Sequence, residues 1–187
     1  MAQRISQLVM STLLFAMTGV VPGPAMCADD SAPPEPFAGT AVFSTLQLRN
    51  EPIGAPELDH ILRMSTDRSL TVEFRTGHFP RDCSIVRTVA CDLTRGGGEC
   101  HGYAVLEAQE GDRLMAKFSG GMKMPRDGVT SDSHGTFEGI WAFVQGTGRF
   151  AGVTGGGTYK GRYTSPVAYT LDWQGEMQRP RPAGGID

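Results

Sequence analysis

The sequence predicts an all-β protein, a single antiparallel barrel of eight or nine strands, on three observations. Short runs in which apolar and polar residues alternate with period two recur from Thr40 to Trp173, each bounded by turn-forming residues. No stretch carries the 3.6-residue periodicity of an amphipathic helix; Glu107 to Glu110 has helical propensity but is too short to nucleate alone. Glycine accounts for 25 of the 187 residues, well above the ordinary ~7%, and glycine within strands marks the bends and bulges that closing a small barrel requires. Short, evenly spaced strands suit either a barrel or a sandwich. The Cys-Trp-Cys spacing and tyrosine corner of an immunoglobulin sandwich are missing, which leaves the barrel.

Along the chain, residues 1–28 read as a secretory signal peptide. A charged start ending at Arg4 is followed by an apolar stretch from Leu8 to Val21 and a small-residue segment around Pro22 to Ala25. Ala25, Cys27 and Ala28 all offer a small residue before the cut, and Ala28 is favoured. Lipid attachment at Cys27 is disfavoured because Met26 stands where a small residue is wanted. The apolar stretch is interrupted by Ser11, Thr12 and Gly19 and falls short of the ~20 residues of a membrane span. The product is therefore expected in a periplasmic or secreted location with no membrane span.

Residues 29–38 are acidic and Pro-rich and read as a disordered leader. Residues 39–178 form the barrel domain, and 179–187 read as a flexible tail. In the domain, Thr40 to Arg49 alternates, with Ala41, Phe43, Thr45 and Gln47 on one side and Val42, Ser44, Leu46 and Leu48 on the other. Leu58–Met64 and Leu70–Thr76 follow as separate strands, the second placing Leu70, Val72 and Phe74 on one face and Glu73 and Arg75 opposite. Ile85, Val89, Cys91 and Leu93 share a face of the next run. Tyr103–Leu106 and Leu114–Phe118 flank the turn signal Glu110-Gly111-Asp112. Phe137–Val144, Gly157–Tyr163 and Val167–Trp173 complete the set. The segment from Met122 to His134 is polar, punctuated by Pro and Gly, and longer than a hairpin needs.

Composition excludes some functions. The full chain carries 17 Lys+Arg against 20 Asp+Glu, a formal charge of −3, and losing Arg4 with residues 1–28 makes it −4. A mildly acidic body with scattered arginines argues against nucleic acid or an anionic membrane as partner. Among the cysteines remaining after residue 28 there is no metal-type spacing. Cys91 and Cys100 flank a turn at Thr94 to Gly98, so a hairpin there sets them opposite each other as the first-choice disulfide. Cys83 with Cys91 is the second choice, and three buried thiols the third.

Two segments carry a resemblance. The first is Cys100-His-Gly-Tyr-Ala-Val with Gly111-Asp-Arg-Leu and Lys117-Phe-Ser-Gly. The second is Gly135-Thr-Phe-Glu-Gly with Trp141-Ala-Phe-Val-Gln-Gly-Thr-Gly-Arg-Phe-Ala-Gly-Val-Thr-Gly-Gly-Gly-Thr-Tyr159. Together, over roughly residues 100–161, they resemble exported bacterial proteins grouped with the allene oxide cyclase-like barrels, which are related in shape to dirigent proteins. The resemblance implies a calycin-like, eight-stranded antiparallel barrel with a ligand-sized interior. It also implies frequent assembly, so a homo-oligomer is an expected form. The plant enzymes of the group cyclise an unstable epoxide without a cofactor. No catalytic residue is carried over from them to this chain.

Site chemistry is read from residue types. Gly146 to Gly152 misses the dinucleotide fingerprint by one residue and precedes no helix, and Thr158 stands where a phosphate loop needs Lys, so the glycine string reads as a turn and bulge. His60, His78, His101 and His134 are far apart. Met122 and Met124 suit Cu(I) chemically but read as packing residues, so neither metal nor cofactor is expected. Ser131 to His134 is a loop cluster rather than a triad. A carboxyl or imidazole inside an apolar barrel could act as acid or base, and the candidates are His101, Tyr103 and Glu138. Tyr103, Trp141 and Phe143 are the candidate ligand-lining residues. The expected function is an exported barrel binding a small, mostly apolar molecule. The alternatives are a cofactor-free cyclase or isomerase, and a structural or partner-binding barrel with a filled interior.

Overall fold

In a computed structural model describing residues 32–76, 79, 82–125 and 135–180, the alternating runs become eight strands. They are β1 (Glu35–Pro52), β2 (His60–Phe74), β3 (Cys83–Thr94), β4 (Gly97–Ala108), β5 (Arg113–Lys123), β6 (Thr136–Gly146), β7 (Thr154–Ser165) and β8 (Ala168–Gln178). Each pairs antiparallel with the next, and β8 pairs with β1 to close the barrel. The expected signal peptide with its cut site, residues 29–31 of the leader, His78, residues 126–134 with His134, and 181–187 lie outside the described residues. Among the described residues, no helix is long and apolar enough to cross a membrane.

Two sequence boundaries move. The runs at Leu58–Met64 and Leu70–Thr76 are one strand, β2, so the count is eight. The register shifts opposite Val42/Phe43, leaving Leu70 as the extra residue of a bulge, and Leu70 points outward, 66% exposed. The bulge changes the phase of the strand: Arg63, Ser65, Asp67 and Ser69 face inward before it, Val72 and Phe74 after it. Glu73 and Arg75 face solvent as expected. The barrel also begins inside the expected leader, because β1 pairs with β8 from Glu35 onward. Phe37, the one large apolar residue of that segment, is buried among Phe74, Trp141, Phe143 and Trp173. The start and end of the barrel are tied together: Ala32 N–H donates to the Arg179 carbonyl at 3.0 Å, and Arg179 pairs with Glu35 at 2.9 Å.

The interior is filled by a repeated cross-strand device, an aromatic ring lying over a glycine on the neighbouring strand. Trp173 faces Gly39, Phe118 faces Gly102, and Phe137 faces Gly161. Tyr159 faces Gly139, which in turn faces Gly120. A Cβ at Gly39 would sit 2.3 Å from the Trp173 ring, and one at Gly161 2.2 Å from the Phe137 ring. Glycine is abundant here because the rings occupy the space side chains would need.

The β3–β4 hairpin turns on Arg95 and Gly96, both with positive φ (55° and 77°), the geometry of a tight two-residue hairpin. That turn sets Cys91 opposite Cys100, and they form the disulfide, Cα atoms 4.0 Å apart. Cys83 is free and half-buried.

The upper end of the barrel, where β6 passes to β7, is stoppered by the glycine string. Gly146 to Gly152 forms a 3₁₀ turn at Gly148–Phe150 that drives Phe150 into the barrel, 1% exposed, stacked on Phe79 at 5.6 Å. Asp112 anchors the turn by accepting from Arg149 N–H and Nε, and Glu110 also pairs with Arg149. The string is a cap.

Candidate functional site in the barrel bore

Between the cap and the middle of the barrel lies an apolar chamber of about 90 Å³. It exists because Ala104 on β4 and Ala116 on β5 are cross-strand partners where the rest of the wall carries larger side chains. Phe37, Phe43, Leu106, Phe118, Trp141 and Trp173 form half of the remaining wall. Ligand sites of drug size usually occupy ~300–1,000 Å³. A second space of about 20 Å³ lies toward the lower end, lined by Arg63, Ser65, Asp67 and the tyrosines 159, 163 and 169.

One charged side chain borders both spaces. Arg87 lies on the inward face of β3, in line with Ile85, Val89, Cys91 and Leu93, and is 5% exposed. Its guanidinium is ringed by aromatic faces: Phe118 at 4.5 Å from the centroid, Tyr169 at 5.5 Å, Phe43 at 5.6 Å and Phe137 at 5.7 Å. Among the described residues it makes one hydrogen bond, donating from Nη1 to the Tyr169 hydroxyl at 2.8 Å. Tyr169 passes its own proton on, donating to Asp67 Oδ2 at 2.9 Å. Asp67 is 2% exposed, accepts also from Ser65 at 3.3 Å, and has no partner at Oδ1 among the described residues. Burial pushes the Tyr169 phenol well above its ordinary pKa, with Arg87 opposing and Asp67 reinforcing. The phenol therefore stays protonated and bridges the two charges. Burial likewise raises Tyr159 and Tyr163. Arg63, half-buried at the lower end, lies over the Tyr163 ring at 5.5 Å.

Burying a guanidinium costs several kcal/mol unless a partner and hydrogen bonds offset it. Each aromatic face returns ~0.5–2 kcal/mol. The rings hold the cation in place, yet most of its five N–H donors are left for something else.

The expected site residues divide. Trp141 and Phe143 line the chamber, and Trp141 Nε1 donates to the Thr158 carbonyl at 3.1 Å. His101, Tyr103 and Glu138 do not enter the bore. His101 and Tyr103 lie together on the outer wall beside Leu48 and Met64, Tyr103 being 53% exposed. Glu138 lies on the outer wall in a groove with Arg75, Lys160 and Asp172. The expected place of His101 and Tyr103 inside is corrected by β4's pleat: Cys100, Gly102, Ala104 and Leu106 face inward, and this small-residue face looks less apolar in the sequence because Phe118 supplies its bulk. Glu138 is turned out by the pleat of β6, which buries Phe137 and Trp141. Of Met122 and Met124, the first is buried in the bore. Among the described residues, no three His, Cys, Asp or Glu side chains cluster as a metal site.

Arg87 and Asp67 were missed. A charge at the second position of the apolar face Ile85–Leu93 was the readable signal for Arg87. Asp67 gave none, because the Arg63–Ser69 stripe alternates like a solvated face. Compared with known proteins, the chain matches no protein-family model, no curated protein and no solved structure.

Proposed function

We propose that this chain is an exported barrel that binds one small, mostly apolar molecule in the chamber above Arg87. The observation that carries the reading is a guanidinium buried against an apolar cavity with a single hydrogen bond. A barrel built for stability alone gains nothing from it, since an apolar replacement of a buried charge network is often neutral or stabilising. Export rests on the N-terminal sequence and is supported by the Cys91–Cys100 disulfide, a bond that persists in oxidising compartments. Kinship with allene oxide cyclase-like barrels belongs to the same reading and is supported by the closed eight-stranded antiparallel architecture. The cyclase alternative loses its acid–base candidates to the outer wall. The filled-barrel alternative is favoured by one observation, the small chamber.

Thermal denaturation of the purified chain with propanol and butanol as probes separates these. Binding to the folded state alone raises Tm with probe concentration by mass action. A saturable rise that the chamber-filling variant Ala116→Leu removes supports the chamber as the site. No rise with either probe leaves the filled barrel.

A further inference from the structure

We infer that the molecule held in the chamber is a short-chain monocarboxylate, its carboxylate on Arg87 and its tail among the rings; this rests on the chamber reading above. Two independent observations point to an anion. First, the charged side chains facing the bore among the described residues are Arg63, Arg87 and Asp67, a surplus of one positive charge in a space otherwise walled by uncharged groups. Second, among the described residues Arg87 has no carboxylate in ion-pair contact. Asp67 reaches it only through the Tyr169 hydroxyl, and the guanidinium's one hydrogen bond is to that hydroxyl. A planar guanidinium with free N–H groups matches the two oxygens of a carboxylate in a bidentate pair, and in a space shielded from water such a pair is far stronger than at the surface.

The chamber fixes the rest of the ligand. Its other walls are Phe, Leu, Ile, Trp and Ala side chains with Tyr159, which offer a tail mainly dispersion contacts. A cavity of ~150 Å³ accommodates benzene, with six heavy atoms. In proportion, about 90 Å³ admits about four, and the space of about 20 Å³ on the other side of Arg87 about one more. Propionate, with five, is the natural size, and a long fatty acid is too large.

Calorimetric titration of the purified chain at pH 7 with propionate, its neutral isostere propionamide, and nitrate as a tailless planar anion tests this. Propionate is expected to bind at least tenfold more tightly than either. Arg87→Met should bring propionate down to the level of propionamide. Should that variant not fold, Arg87→Lys keeps the charge, loses the fork, and should weaken propionate while leaving propionamide unchanged. Propionamide binding as tightly as propionate overturns the carboxylate inference and leaves the chamber reading standing. Nitrate matching propionate assigns the site to an inorganic anion and overturns the inference. No binding of propionate, propionamide or the apolar probes removes the chamber reading itself.

Discussion

Replacing Ala116 by leucine asks directly whether the bore has room. Ala116 faces Ala104 across β4 and β5, and both line the chamber of about 90 Å³. The substitution adds three carbons to a cavity bounded by apolar side chains. At ~0.8 kcal/mol per buried CH₂ the gain is ~2.4 kcal/mol, reduced by ~0.5–1 kcal/mol for the leucine's lost rotamer freedom. A net stabilisation of ~1.5 kcal/mol should raise Tm by ~3–6 °C in a domain of this size. In a wall packed to the ordinary interior density the same change overpacks and costs ~1–3 kcal/mol. Reversible thermal unfolding followed by circular dichroism reads the sign. A fall in Tm of several degrees, with native secondary structure retained at low temperature, would refute the chamber and the reasoning built on it.

Two further outcomes follow from the β3–β4 region. Cys91 and Cys100 are separated by 9 positions, so the chain-entropy model gives their disulfide ~2–3 kcal/mol; the double substitution to alanine should lower Tm by ~5–10 °C, and an unchanged Tm would show that the hairpin needs no staple. Cys83 has its thiol pushed up to about 11 by burial, with Asp82 adding to the shift. Because the folded state disfavours the thiolate, the stability linked to this group is whole below the ordinary thiol pKa of about 9 and declines as pH rises from there through 11. At pH 8 its thiolate fraction is ~0.1%, so alkylation by iodoacetamide should run ~100-fold slower in the folded chain than in urea; equal rates would contradict the burial.

Much of the fold could be read from residue order because its causes are local. The Arg95-Gly96 turn and the positions of Cys91 and Cys100 around it are set by hairpin geometry, and period two put Trp141 and Phe143 on one face of β6. What could not be read depends on neighbours distant in sequence. The inward face of β4 is small because Phe118 of β5 covers Gly102, so sequence reasoning chose the outer face with His101 and Tyr103. Leu70 looked like the first member of the Val72–Phe74 face, but the bulge against β1 turns it outward and lets the polar Arg63–Ser69 stripe face the bore. Arg87 was visible as a charge on an apolar face. Its significance came only when the rings of β1, β5, β6 and β8 were seen to surround it.

The most direct measurement is a ¹⁵N–¹H spectrum of the arginine side-chain Nε–H groups during titration with propionate. One resonance, assigned to Arg87 by its loss in Arg87→Met, should move saturably while those of exposed arginines such as Arg49 and Arg113 stay in place. An Arg87 resonance that does not move at any propionate concentration, or exposed arginines that move together without saturation, would contradict a carboxylate site in the bore.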